Sequence, residues 1–552
     1  MTLRKRHLSL GVCISLCFTS ALLFQNFTVA PSDSDFHHII NVATDFGAIP
    51  NDKDDDTEEI RKASDYAKSL LLENNKAKIA VVFPVGTYLV SPLNSKFQVK
   101  TIPFYSGISY IGDSDELHGK KATLTVLPSP CLKYQDTDKD TFDRCHKANK
   151  WGRMVNGIFV SPNPLVIKNM NFYGSRNSQG PHASYELEQK SLLFLRGTIA
   201  QSLKVEISDS DFHESPGDGV QIYSNVDIQI KRMKANFNFR GGVTITGGKV
   251  NADIDHYMSW GDARPFMSLQ IEIDPHGEKD LEGKKLLTNN IKLTNARMNG
   301  IFDLGFAGDN STFYGDKIIM YGGQFLYAGI NAKSHVLKTT GLIKNSILRT
   351  VSGNDKGNTY DSGHIYAPGD LTFENVQFYA QGKKNLETTA MHIRFYNSYA
   401  YYENQQVKFK NCRFKIYGEE ASLSSVIKMD PVKTGSHNKV ILEQSIVYPG
   451  FKYIFQADRG GVIEANGVSS YAAEVFRTGS LKGYSLHLDI RNFIQRLTGL
   501  TSLGRISGMA NSADYVSISS SGFSGKEVAK TGAKIKKRVS LEGTLRKISY
   551  QQ

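Results

Sequence analysis

The chain has 552 residues, 40% of them hydrophobic and 22% charged, with 48 glycines, 16 prolines, 26 tyrosines and 30 phenylalanines against 2 tryptophans. That mixture suits many short strands and tight turns better than a helical protein. The net charge is +12, about +9 without three basic residues near the N-terminus, which points to nucleic acid or an acidic polymer as partner; the lack of a long Lys/Arg run, a recognition-helix pattern or an RNP-type motif argues against nucleic acid.

Arg4, Lys5 and Arg6 precede an uncharged apolar run from Leu8 to Phe24, and this pattern reads as a secretory signal over residues 1–30. The run is about 17 residues, short of the roughly 20 that span a bilayer, so an uncleaved anchor is the lesser reading and the chain's one route to a membrane. Thr28-Val29-Ala30 has the small residues of a cleavage site, although Pro31 follows it. The expectation is an exported protein: periplasmic, secreted or held at the surface. Three cysteines remain beyond residue 30. Cys131 and Cys145 bracket a polar insertion, Leu132 to Arg144, and are either a disulfide, which export permits, or two thiols in a loop. No CxxC pair or His/Cys cluster suggests zinc. No motif supports calcium, so no cofactor is expected.

Val42 to Ala48 leads into an acidic stretch (Asp52, Asp54, Asp55, Asp56) and then a helical pattern from Ile60 to Leu72, with Ala63, Ala67 and Leu70 on one stripe. Thr57 is the expected N-cap. Ile79 to Tyr88 reads as a buried strand, a turn at Pro84 and Gly86, and a second strand. The order DFGA, DDT, VVFPVGTYLV over residues 42–92 closely resembles the opening segment of the pectate-lyase-like superfamily of right-handed β-helices, which includes phage tailspikes. The resemblance implies a right-handed parallel β-helix whose N-terminal helix caps the open end. Capping is required because a bare first coil exposes core and strand edges.

From about 155 to 480 short strands recur, often ending in Asn plus an apolar residue, as in Val166 to Phe172, Leu371 to Phe378 and Val407 to Phe414. Each fits a strand, a turn with Asn in the left-handed conformation, and another strand. Hairpin Asn-Gly pairs are too sparse for an antiparallel sandwich. One solenoid over residues 40–485 thus replaces the three or four domains that length alone suggests. Ile490 to Leu500 looks helical and the region around Ser519 to Ser521 loose, so 486–552 reads as a C-terminal cap with a basic tail. A monomer is favoured over a tailspike-like trimer.

Four strands align by small residues at their starts: Gly219 to Tyr223, Gly242 to Thr246, Ser268 to Asp274 and Gly300 to Leu304, offset by 23, 26 and 32 residues. Alternation sends Val220/Ile222, Val243/Ile245 and Leu269/Ile271/Ile273 inward and Gln221/Tyr223, Thr244/Thr246 and Gln270/Glu272/Asp274 outward, in columns with about 4.8 Å per coil. The fourth strand breaks phase at Asp303. Two neighbouring carboxylates, Glu272 and Asp274, raise one pKa toward the range for proton transfer, and His276 lies just beyond Pro275. Arg240, Arg264 and Arg297 precede the aligned strands and are expected in the flanking turns, where a bidentate cation neutralises a substrate carboxylate. Arg264 leads these. Salt bridges to Asp218, Asp262 or Glu272 are the plainer alternative.

Asp274-Pro275-His276 resembles the Asp-Pro-His signature of mannuronan C5-epimerases, whose first step is shared with alginate lyases. The resemblance implies proton transfer at His276 with Asp274 beside it. The tyrosine that such epimerases place three residues earlier is Ile271 here. Asp253 to His256 faintly resembles a phrase of calcium-dependent pectate lyases, and His256 is either a turn residue or a substrate contact. His213 and Asp218, in FHESPGDG, are expected on the same flank as substrate contacts, as is Tyr223. Phe395, Tyr396, Tyr399, Tyr401 and Tyr402 either stack on sugars or fill the core. The leading expectation is lyase or C5-epimerase chemistry on a uronate polysaccharide; a glycoside hydrolase using Glu272 and Asp274 and a non-catalytic polysaccharide binder are the alternatives.

Overall fold

The computed structural model describes residues 35–179, 187, 190–198, 200–260, 267–272, 288–305, 311–323, 325–328, 339–350, 360–361, 363–366, 368–382, 387–395, 404–419, 423–430, 438–457, 461–478, 485–496, 503–506, 515–521, 528–532, 539–543 and 547–551. Two consecutive coils define the architecture. Val226–Asn236 runs along one face, bends at Arg232 and continues along a second; Gly241–Ile245 follows on a third; Val250–Trp260 then returns directly over Val226–Asn236, pairing Val226 with Val250 and Asn236 with Trp260 in parallel. We call these faces 1, 2 and 3. Repetition of this path makes a right-handed parallel β-helix, as the opening segment implied.

The bend between faces 1 and 2 explains the recurrent asparagines. Asn169, Asn295, Asn345, Asn375, Asn411 and Asn492 all occupy it with φ between 47° and 57°, a conformation Asn tolerates better than most residues. Their side chains link coils: Asn375 donates to Asn345 Oδ1 (3.2 Å) and Asn345 to Asp316 Oδ1 (2.9 Å).

Period-2 alternation sends alternate residues of every strand into a single core that runs from Ile40 to Ile518. Val220, Ile222, Val243 and Ile245 are fully buried, as the alignment required. Like residues stack on like across coils. Phe172 lies on Phe212 with ring centroids 4.5 Å apart, and Phe378 on Phe414 at 4.9 Å. Phe395, one of the candidate sugar platforms, is buried in this core; Tyr396, Tyr399, Tyr401 and Tyr402 lie outside the described residues. The helical expectation for 490–500 is overturned over its described part, 490–496, where Ser485–Arg491 and Ile494–Gln495 are strands; 497–500 lie outside the described residues. Leu486, Leu488 and Ile490 alternate inward with strand period, and the apparent helical spacing begins only where Asn492 turns the chain. Ser519 to Ser521 likewise belong to a strand, and parallel pairing continues to Lys547–Gln551.

At the N-terminal end, α1 (Thr57–Glu73) lays Ile60, Ala63, Ala67 and Leu71 into the core against Ile102–Tyr105, the first strand of face 3. The N-cap is Asp56, not Thr57. Thr57 is instead the first helical residue, and its hydroxyl accepts the Ser91 N–H at 2.8 Å. Burial pushes the Asp56 carboxyl up to about 7, although it accepts the Leu89 N–H at 3.1 Å. The folded state therefore holds this proton more tightly than the unfolded chain, whose value is near 3.8. The resulting stabilisation is complete below pH 3.8 and lost as pH rises through about 7. Thermal melts are expected to show Tm falling between about pH 4 and 7, and Asp56→Asn, which keeps an acceptor for Leu89, should flatten that slope. An unchanged slope in the variant would assign the effect to another group.

Between faces 2 and 3 an early loop carries α2 (Lys139–Asn149), and Cys131 and Cys145 are joined there, with Cα atoms 5.5 Å apart. Both are buried against Leu93. Closing a loop of about 15 residues restricts the unfolded chain by roughly 3 kcal/mol. Denaturant unfolding of a Cys131→Ser/Cys145→Ser variant should show a loss of about that size, and a loss under about 1 kcal/mol would make the bridge incidental.

Candidate functional site

Face 3 carries the expected columns. Gln221 pairs with Thr244 and Thr244 with Gln270, as aligned from sequence. Asp303 is in phase after all: it pairs with Gln270, and an irregularity between Met267 and Leu269 absorbs the offset. The column continues through Leu326, His364, His392, Lys428 and Gln456. A second, parallel column runs Glu272, Gly305, Ala328, Tyr366, Arg394, Asp430.

The leading candidates separate. Arg264, Asp274 and His276 lie outside the described residues. Glu272 ends the strand Met267–Glu272 and heads the second column. Arg240 is half-buried in the turn before Gly241–Ile245, as expected. Tyr223 ends the strand phrase on face 3, with the Arg196 guanidinium 5.0 Å from its ring centre. The early outward positions are covered, however. Gln221 is 3% exposed and Thr244 is fully buried.

Four further candidates from the sequence take other positions than a face 3 groove, and His256 falls in a turn, one of its two expected places. Asp218 is fully buried and accepts the Thr244 hydroxyl at 2.6 Å, so it braces face 3 from within. His213 ends a face 2 strand, Asp211–His213, with its ring edge-on to Tyr173 at 5.3 Å; burial lowers its pKa, and its buried Nε2 has no hydrogen-bond partner. His256 sits in the bend between faces 1 and 2 at φ 54°, 2.6 Å from Asp255 Oδ2. Arg297 opens the face 2 strand Arg297–Asn299 and points to solvent. His213 and Arg297 lie on face 2 because the connecting turns differ in length from those assumed, whereas Asp218 stays at face 3 with its side chain turned inward.

What the columns bring together is a cluster that sequence reading missed. Asp430 Oδ2 lies 2.8 Å from His392 Nε2 and 3.0 Å from Arg394 Nε. Arg394 Nη1 lies 3.4 Å from the Tyr366 hydroxyl, which is also 3.4 Å from His364 Nδ1. The Arg394 guanidinium lies 5.3 Å from the Tyr366 ring centre, and the His364 and His392 rings are 5.6 Å apart. Burial would raise the Asp430 carboxyl; the His392 hydrogen bond and charge, with Arg394 and Lys428, outweigh it and hold it at about 2. His392 is 3% exposed, whereas His364, Tyr366 and Arg394 are half-exposed and line the surface. The arrangement offers a fixed cation, a phenol and imidazoles to one ligand, which suits binding a carboxylate next to groups that move protons. A signal was present: Gly363 to Tyr366, Met391 to Arg394 and Ile427 to Asp430 share one polar–apolar–polar phrase. Loops of unequal length hid their common register.

A hollow of about 620 Å³ lies on face 1 instead, lined by Glu206, Asp227, Asn251, Asp253 and Asn290. Three of its polar groups bond one another, Asp227 with Asn251 at 2.6 Å and Asn251 with Asn290 at 2.9 Å. Among the described residues no three His, Cys, Asp or Glu side chains are grouped to hold a metal ion, and no helix is long and apolar enough to cross a membrane.

No family model and no curated protein matches the sequence. Among solved structures, the chain is similar to a mannuronan C-5 epimerase A-module of Azotobacter vinelandii (TM-score 0.44, 13% identity, 78% of this chain and 99% of that one). It is also similar to the surface adhesin PfbA of Streptococcus pneumoniae (0.37, 11%, 86% and 93%). A third likeness is to a family 28 exopolygalacturonase of Yersinia enterocolitica (0.32, 12%, 90% and 78%). At such low identity no residue of this chain inherits a role from them.

Removing the shared acceptor tests the cluster. Asp430→Ala strands Arg394 and His392 and is expected to cost about 1–3 kcal/mol in denaturant unfolding near neutral pH. Because the folded pKa is depressed, that difference should persist down to about pH 4 and shrink as pH falls toward 2. A wild-type and variant pair with equal stability at pH 7 would contradict the ion-pair reading.

Proposed function

We propose that this chain is an exported enzyme that binds an acidic, uronate-containing polysaccharide along face 3 and abstracts its C5 proton, acting as a lyase or a C5-epimerase. One observation carries the reading: Arg394 beside Tyr366, with Asp430 and His392 fixing the guanidinium. A guanidinium held in place beside a phenol suits binding a sugar carboxylate, the group that sets a uronate polymer apart, and proton abstraction at C5 is the chemistry that carboxylate makes accessible. The electron pair left at C5 then either expels the glycosidic oxygen at C4, giving an unsaturated sugar, or takes a proton on the opposite face.

On this reading His276 and Asp274 transfer the proton, Glu272 and Arg264 flank them, and Arg394 with Tyr366 anchors a sugar carboxylate further along the polymer. Gln270 and His364 are three coils apart, about 14 Å at 4.8 Å per coil, a distance that a few sugars bridge. The disulfide agrees with the N-terminal signal pattern in favouring an oxidising compartment. Glycoside hydrolysis needs two carboxylates about 5–9.5 Å apart; the described cluster offers Asp430 alone, already shared by two cations.

The test is incubation with alginate and polygalacturonate, following ultraviolet absorbance for elimination and solvent proton exchange at C5 for epimerisation. His276→Ala should lower kcat by roughly 10²- to 10⁴-fold, and Arg394→Ala should raise KM roughly ten- to hundredfold. Loss of kcat in Arg394→Ala with KM unchanged would move the chemistry to the cluster. New reducing ends without absorbance would make it a hydrolase, and binding without turnover an adhesin.

A further inference from the structure

We propose that face 2 carries a second, non-catalytic track for an anionic polysaccharide. Eight successive strands build it, from Arg297–Asn299 through Ile319–Met320, Ile347–Thr350, Gln377–Gly382, Arg413–Gly418, Ile446–Val447 and Ser469–Ser470 to Ile494–Gln495. These strands contain no Asp or Glu. Their outward positions, and the residue just past the last strand, supply Arg297, Arg349, Arg413, Lys415 and Arg496. Among the described residues none of the five pairs with a carboxylate.

Face 1 of the same coils is the contrast. There cations are paired with acids, Lys408 with Glu443 at 2.8 Å, Lys410 with Glu374 at 3.1 Å and Lys439 with Glu464 at 2.9 Å, while Lys344 lies over the Tyr314 ring. A solenoid that balances charge on one face and leaves only positive charge on the next presents a polyanion with a stripe of matching sign.

Aromatic residues alternate with the cations. One column runs Tyr321, Arg349, Tyr379, Lys415, Tyr448, Tyr471. Lys415 Nζ sits 5.4 Å from the Tyr379 ring centre and 4.7 Å from that of Tyr448. At the N-terminal end Trp260 and Tyr321 are 40% and 41% exposed, with rings 5.7 Å apart, and offer an apolar platform for a sugar ring. A surface hollow of about 340 Å³ opens beside Gln377 and Arg413. The eight strands span about 34 Å at 4.8 Å each, the length of several sugars.

Polysaccharide fits this stripe better than nucleic acid. Lys415 covers the Tyr379 and Tyr448 faces on which bases would stack, while the cations remain for sugar carboxylates. The inference shares its polymer class with the face 3 reading but none of its residues.

The experiment measures affinity of the full chain for alginate, polygalacturonate, neutral dextran and duplex DNA over a salt series. Arg297→Ala/Arg413→Ala removes two exposed cations; Arg349→Ala/Lys415→Ala removes two that also pack on tyrosines. Each pair should weaken binding to the long acidic polysaccharides roughly tenfold at low salt and make the salt dependence shallower, as losing cations on a polyanion does. Dextran binding and turnover of short oligosaccharides should not change. Should the second pair fail to fold, the first decides alone. Unchanged affinity in the folded variants, no binding of the native chain to either acidic polysaccharide, or tighter binding to DNA than to both would overturn the track. If Arg394→Ala and His276→Ala leave turnover intact while these pairs weaken binding, the face 3 reading fails and this one stands.

Discussion

The whole molecule depends on one constraint: each strand must place its apolar residues directly above those of the coil before. Parallel pairing satisfies every backbone donor and acceptor along the axis, and period-2 alternation feeds alternate side chains inward. Because Phe172 must meet Phe212 and Phe378 must meet Phe414, register cannot slip by one residue without turning the core out to water. The outward columns are a by-product of that rule. Residues far apart in sequence become neighbours on the surface only because their inward neighbours are locked.

This explains what could be read in the sequence. The alignment of Val220, Val243 and Leu269 was legible because inward positions need bulky aliphatic residues at fixed phase, and the pairing agrees residue for residue. The bend asparagines were legible for a similar reason, since few residues accept positive φ. The helix α1 was legible from its apolar stripe, though its first residue was not, because Asp56 and Thr57 are both polar and each accepts a backbone N–H of the facing strand, Asp56 from Leu89 and Thr57 from Ser91.

Positions outside strands were not legible. Assigning Arg297 or His213 to the flank of face 3 required the length of each connecting turn, which hydrophobic phase does not encode. Asp303 seemed out of phase because a bulge in the preceding strand has no signature of its own. The cluster of His364, Tyr366, His392, Arg394 and Asp430 comes from three strands separated by loops. Only the paired register, not the local spacing, gathers them.

The connection between faces 2 and 3 ranges from one residue (Gly300) to twenty-eight (127–154) without disturbing the coil stack on either side. Shape at this corner is therefore decoupled from the scaffold that supports it. Segments here can be lengthened, shortened or exchanged between related chains at little thermodynamic cost, since doubling a flexible connection adds only about 0.6 kcal/mol. Diversification of what the molecule recognises is expected to accumulate at this one corner, leaving the girder beneath it unaltered.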